Sequence, residues 1–242
     1  MKDLHCHLLY GIDDGSKTIE ESIALLKEAE EKGIEEMILT PHYVDHSKYM
    51  CNNEEKTKIF KKLVNRAKKE KINIKLYLGN EIFFSRHILE FIKNKEVQTL
   101  NKSKYVLFEF PMNNVYHNTN EIISELVSKG YIPVLAHPER YRILQQHPDL
   151  AEEYLRCGVL LQANYESLFG KYGFKARKTL KYFIKKRWIS FVGSDAHHDM
   201  NLDLKKLEKK LLRYSRDKEY VQDILNNNFD KVINNEDISM IR

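Results

Sequence analysis

The chain has 242 residues, a formal net charge of +5, 42% hydrophobic residues and 31% charged residues. This is enough for one large domain, too apolar for a disordered chain, and only mildly basic, with no signature of a nucleic-acid reader. No run approaches the roughly 18 apolar residues of a membrane span, and Asp3, His5 and His7 interrupt any basic-plus-apolar leader. A cytoplasmic protein forming a single domain over residues 1–242 is expected. The three cysteines, Cys6, Cys51 and Cys157, have no paired spacing, which argues against a disulfide framework and for a reducing compartment.

The first segment is "DLHCHLL". Residues two apart on a strand share a face, so His5 and His7 project together while Cys6 points away. Asp13 and Asp14 follow in a short loop. "SKTIEESIALLKEAEEKG" then reads as a helix, with Ser16 as its N-cap, apolar positions at Ile19, Ile23, Leu26 and Ala29, and Gly33 as its stop. Further strand segments fall at 34–40, 72–79, 104–110, 132–137, 158–164 and 188–197. Between the fourth and fifth strands, "NTNEIISELVSKG" is a second helix that ends on Gly130, with Asn118 or Thr119 as its cap; the preceding "YHN" at 116–118 is a candidate for the rim of a substrate site. "KTLKYFIKKRW" and "LKKLEKKLLRYSRDK" read as helices with solvated basic faces, and the tail beyond about residue 200 as amphipathic helices that close over the sheet. Strands alternating with helices, each strand a near-continuous apolar run, argue for a parallel α/β architecture, and seven strand segments suggest a barrel.

In parallel barrels the chemistry gathers at the C-terminal ends of the strands. Those ends carry His5, His7, His42, Glu81, Glu109, His137, Asp195 and His197, with Asp14 in the loop after the first strand; only "LLQAN" ends without a nitrogen or oxygen ligand of this kind. Singly, each has an ordinary explanation: a turn cap for His42 after Pro41, a packed loop residue for His137 before Pro138, a surface acid for Glu81. Together, clustered carboxylates repel one another, and each buried anion costs several kcal/mol unless it is paired. Bound metal ions resolve that conflict. Imidazole and carboxylate without thiolate suit Mn, Fe, Zn or Mg in open coordination. Nine ligands exceed the needs of one ion, and a carboxylate such as Glu81 can bridge two, as in hydrolases whose metals activate water and neutralise phosphoryl oxygens.

The motifs "DLHCHLLYGIDDGS", "TPHY", "GNE", "FEFP", "AHPERY", "QANYESLFGKYG" and "GSDAHH", in this order from residue 1 to about 200, resemble the polymerase-and-histidinol-phosphatase (PHP) superfamily. "DDGS", "HPERY" and the Asn164, Ser167, Gly170 run narrow the resemblance to its bacterial protein-tyrosine phosphatases, which accompany tyrosine kinases of capsule and exopolysaccharide synthesis. The resemblance implies a distorted seven-stranded (β/α)7 barrel of PHP type with C-terminal helices, and three divalent ions, manganese first among the candidates. It assigns one ion to His5, His7, Glu81 and Asp195, a second to Glu81, Glu109 and His137, and a third to Asp14, His42 and His197. Arg140 of "HPER" matches the arginine that holds the substrate phosphate. The expected activity is hydrolysis of phosphotyrosine on a protein, with a bacterial tyrosine kinase tail as the expected partner, by a metal-activated hydroxide; tyrosinate, with a pKa of about 10, is a tolerable leaving group. No C-x5-R loop of a thiol-based phosphatase is present. The alternatives are a histidinol-phosphate or other small-molecule phosphomonoesterase and, outside catalysis, a phosphoprotein-binding regulatory module. Asp13, Arg142, His198 and Asp199 neighbour these motifs with either a supporting or a solvated role, whereas His46, His87, His117 and His147 read as surface or cap residues.

Overall fold

The computed structural model describes residues 1–113 and 119–238; the rim and cap expected at Tyr116, His117 and Asn118 lie outside them. The first half of the chain runs β1 (Lys2–Cys6), α1 (Ile19–Glu31), β2 (Glu36–Leu39), β3 (His42–Tyr43), α2 (Asn53–Lys69), β4 (Lys75–Leu78), β5 (Glu81–Phe83), α3 (Ile88–Lys93) and β6 (Tyr105–Glu109). There follow α4 (Thr119–Ser128), β7 (Ile132–Ala136), α5 (Arg142–Gln146), α6 (Ala151–Arg156), β8 (Leu160–Asn164), α7 (Gly173–Lys185), β9 (Ile189–Gly193), α8 (Leu204–Ser215), α9 (Lys218–Gln222) and α10 (Asn228–Asn234).

The strands pair in parallel throughout, as their apolar runs and intervening helices require. One sheet has the order β1-β2-β4 and the other β3-β5-β6-β7-β8-β9. All seven expected segments contain strand, but the second and third each run on, past a cut in the ladder, into a further short strand outside the expected bounds, so the described residues form nine strands in two sheets rather than seven in one. The cuts have a local cause. Pro41 has no N–H with which to continue a ladder, and the chain bends with it at Gly79-Asn80, where Asn80 Nδ2 donates to the Pro41 carbonyl at 2.9 Å. Beyond the bends, pairing resumes with His42 opposite Glu81. The two sheets meet again at β1 and the end of β9, where Asp195 N–H donates to the His5 carbonyl and His7 N–H to the Ala196 carbonyl, both at 2.8 Å.

The cap of α1 differs from expectation. Thr18, not Ser16, accepts the first-turn N–H, from Glu21 at 3.2 Å. Ser16 is held instead in the preceding loop, its N–H donating to the His7 carbonyl and its own carbonyl accepting from Gly11. Gly33 and Gly130 stop their helices as expected, with φ of 84° and 83°.

Alternation along the strands sorts their side chains. Leu4, Ile38, Tyr105, Leu107, Val134, Ala136, Leu160 and Phe191 pack on a shared inner face, whereas Val106, Phe108, Leu135, Leu161 and Ala163 pack outward in the second core. Followed upward, the inner rows change character: Tyr105 and Leu107 lead to Glu109, and Leu160 leads to Gln162 and Asn164. The tail closes the opposite, apolar end. Phe229 and Val232 of α10 join the inner core, and Lys2 at the start of β1 pairs with Asp230 and, at 2.8 Å, with Glu36. No helix among the described residues is long and apolar enough to cross a membrane. Phe229→Ala would leave a void under the inner core and is expected to cost about 3–5 kcal/mol in denaturant unfolding; a loss below about 1 kcal/mol would show that α10 is not part of the folded core.

Candidate metal centre

The eight side chains expected at the strand ends and Asp14 from the first loop converge on one polar layer. His5 and His7 point the same way, their Nε2 atoms 3.1 Å apart, while Cys6 packs in the outer core. Glu81 lies at the middle and is fully buried. Its Oε2 is 3.2 Å from His5 Nε2, 3.3 Å from His7 Nε2 and 3.0 Å from His42 Nδ1, and its Oε1 is 3.0 Å from His137 Nε2. Asp195 Oδ1 is 3.6 Å from His5 Nε2 and 3.3 Å from His7 Nε2. At the mouth, Asp14, 52% exposed, faces His42 at 3.6 Å and His197 at 3.5 Å.

Ligand atoms close enough to share an ion form three overlapping groups: His5, His7, Glu81 and Asp195; His7, Asp14, His42 and His197; and His42, Glu81 and Glu109. The first is the set expected for one ion. The second contains the expected Asp14, His42 and His197, with His7 added. In the third, His42 stands beside Glu81 and Glu109, where His137 was expected; His137 flanks the pair, 3.0 Å from Glu81 and 3.6 Å from Glu109. His42 thus turns one ring nitrogen to each of two groups.

The residues fit metal ions in their hydrogen bonding as well as in type. A ligating imidazole commonly donates its other N–H to a fixed acceptor, which orients the ring. His5 Nδ1 is 2.8 Å from Gln162 Oε1, His7 Nδ1 is 2.7 Å from Asp13 Oδ2, and His197 Nδ1 is 2.9 Å from the Asp195 carbonyl. With Nδ1–H engaged, each presents Nε2 to the centre. Glu81 Oε2 and His42 Nδ1 are buried and, although close to one another, are aligned for no hydrogen bond among the described residues, a costly arrangement for protein alone and an ordinary one around a cation. Burial disfavours charge on His5 and His7, yet Glu81 and Asp195 raise the pKa of the first, and Asp13, Asp195 and Glu81 that of the second. Burial likewise opposes ionisation of Glu81 and Asp195, but the facing imidazoles hold both carboxyls far below their usual range. Protons and cations therefore compete for the same layer.

The backbone is shaped around these groups. His137 and Asp195 have φ of 37° and 53°, a left-handed conformation that costs a non-glycine residue about 1–2 kcal/mol. Asp3, buried within β1, accepts from the N–H groups of His5 at 3.2 Å and Ser194 at 3.0 Å and so ties the first and last ligand segments together. The strand without a ligand supplies supports: Gln162 for His5, and Asn164, whose Nδ2 donates to Asp195 Oδ2 at 2.7 Å. Glu139, also buried, accepts from Asn164 N–H at 3.0 Å and from Ser167 Oγ at 2.7 Å. Asp13 supports His7 and also accepts from His42 N–H at 2.9 Å. Arg140 Nη1 donates to Asp195 Oδ2 at 2.7 Å, and its guanidinium lies 4.4 Å from the centre of the Tyr172 ring. His46, His147, His198 and Asp199 are exposed, and His87 begins α3 beside Glu90.

Fold and site together define a parallel α/β protein with a candidate multinuclear metal centre at the C-terminal ends of its strands. The chain belongs to the CpsB/CapC family of capsular polysaccharide synthesis, whose model it matches over residues 1–234. It is 41% identical to CapC of Staphylococcus aureus over 202 residues, 83% of this chain and 78% of that protein. It is 33% identical to the tyrosine-protein phosphatase YwqE of Bacillus subtilis over 200 residues, 82% of this chain and 78% of that one. A solved structure from work on YwqE of Bacillus subtilis and CpsB of Streptococcus pneumoniae, described as metal-dependent tyrosine phosphatases, superposes with a TM-score of 0.90 at 29% identity, covering 99% of this chain and 96% of that one.

Gly15 of "DDGS" has its reason here. A Cβ at this position would lie 1.9 Å from the His7 carbonyl oxygen and 2.7 Å from its Cβ. Gly15→Ala is therefore expected to push His7 off the centre and to destabilise the fold by about 1–3 kcal/mol in denaturant unfolding; an unchanged midpoint would show that the loop yields instead.

Proposed function

We propose that the protein is a metal-dependent tyrosine-protein phosphatase that hydrolyses phosphotyrosine on a protein, with a bacterial tyrosine kinase tail of capsule or exopolysaccharide synthesis as its substrate, and that it acts in the cytoplasm. The observation that carries this reading is the set of three overlapping ligand groups joined through Glu81, His7 and His42, in a chain of the CpsB/CapC family. We take the centre to hold three divalent ions, with manganese as the first candidate, and the divided strands to be a distorted seven-stranded barrel in which β2 with β3, and β4 with β5, each count as one. His5, His7, Asp14, His42, Glu81, Glu109, His137, Asp195 and His197 would hold the ions.

Bound there, divalent ions supply Lewis acidity that activates water and offsets phosphoryl charge. The chain's own groups do the rest. Gln162, Asp13 and the Asp195 carbonyl keep the imidazoles oriented. Arg140, fixed by Asp195 and the Tyr172 ring, has further N–H donors to direct at a phosphoryl oxygen, and such preformed donors are strongest in a site shielded from water. No thiol is needed: Cys6 faces away from the polar layer.

Metal-stripped protein reloaded with Mn²⁺ is expected to bind three ions per chain and to release phosphate from a phosphotyrosine peptide but not from histidinol phosphate. Turnover of histidinol phosphate alone would move the protein to small-molecule chemistry, and no turnover of either would favour a phosphoprotein-binding role. Arg140→Ala is expected to keep its metal content while losing about 100-fold in kcat/KM; an unchanged kcat/KM would dismiss its contact with phosphate.

A further inference from the structure

We propose that a cleft beside the centre is an anion subsite, selecting substrates with a second negative group, a carboxylate or another phosphoryl, close in sequence to the phosphotyrosine. The proposal rests on the phosphatase reading. The cleft has a volume of about 430 Å³ and is lined by Arg140, Arg142, Gln145, Tyr172, Lys175 and the turn at Asn113. Three of these side chains are cationic, and no carboxylate among the described residues lines it. Arg142 and Lys175 are exposed, and neither side chain has a hydrogen-bond or ionic partner among the described residues.

Several other basic side chains are neutralised by acids. Lys171, on the same segment as Lys175, pairs with Glu166 at 2.5 Å and Asp199 at 3.2 Å, and Lys27, Lys32 and Arg66 are paired on other faces. Like charges gathered in a concave surface reinforce one another and attract an anion that neutralises them. Arg140 joins the two places. Through Nη1 it holds Asp195 in the centre, and it also forms one wall of the cleft, with Tyr172 stacked against it. A substrate whose phosphate is in the centre therefore brings its flanking residues to Arg142 and Lys175. A neutral flank leaves these charges uncompensated, and a basic one is repelled.

The test compares kcat/KM of the Mn²⁺-loaded protein on three phosphotyrosine peptides that differ only beside the phosphotyrosine, with alanines, glutamates or a second phosphotyrosine. The wild type is expected to favour one or both anionic peptides over the alanine peptide by about three- to tenfold, the size of one or two exposed charge pairs. The preference should shrink as ionic strength rises and invert in the variant carrying Arg142→Glu and Lys175→Glu. The readout is the ratio between peptides within one protein, so a general loss of activity does not imitate it. Whichever anionic peptide gives the larger ratio identifies the favoured group. Equal kcat/KM for all three in the wild type, or a preference that survives the double reversal, overturns the subsite. Failure of the wild type to turn over any of the three overturns the phosphatase reading itself, and the subsite with it.

Discussion

A buried carboxylate surrounded by imidazoles governs this structure. Glu81 has no exposure, and four histidines approach it within 3.3 Å. An anion so placed is tolerable only when opposite charge or strong donors surround it, and the strands are arranged to deliver them. The bend after β4 turns Glu81 inward, and the matching bend at Pro41 sets His42 opposite it in register. Apolar residues fill the inner face below, and α10 shuts that end against water. The local polarity of the centre therefore depends on packing at the far end of the strands.

Much of this was legible in the sequence because periodicity and strand ends are local signals. Alternation placed His5 and His7 together and Cys6 apart, and the seven apolar segments all contain strand. What sequence reading missed depends on distance in space. The bends that divide two strands come from Pro41 and Asn80 meeting across 39 residues. Ser16 was the natural cap by pattern, but its backbone is taken by His7, so Thr18 caps α1. Asp3, Gln162, Glu139 and Tyr172 gave no signal as supports, since nothing in a single chain states which acid or amide will face which imidazole. The "DDGS" motif was visible without its reason, which is the absence of room for a Cβ between Gly15 and His7.

Arg140 shows why a motif match and a geometry are different statements. The resemblance assigns it to phosphate; the structure engages it with Asp195 and stacks it on Tyr172. These are compatible, because a guanidinium has five N–H donors in one plane and one hydrogen bond leaves the others free. The pairing also couples the arginine to the candidate ligand set: whatever fixes Asp195, including Asn164 and its backbone hydrogen bond to Glu139, fixes the direction of Arg140. Support thus passes from β8 through a carboxylate to the arginine proposed to meet the substrate.

The position of Cys6 has a consequence for chemical durability. Cys6 stands between His5 and His7 in the chain, but its thiol is fully buried on the opposite face, donates toward the Ile38 carbonyl, and burial pushes its pKa well up. Thiolate is the form that peroxides oxidise and alkylating agents capture, and here it scarcely exists. An enzyme that removes phosphate with a cysteine loses its nucleophile to an oxidant; a centre beside which the strand's cysteine is turned away, protonated and sealed does not expose that thiol to one.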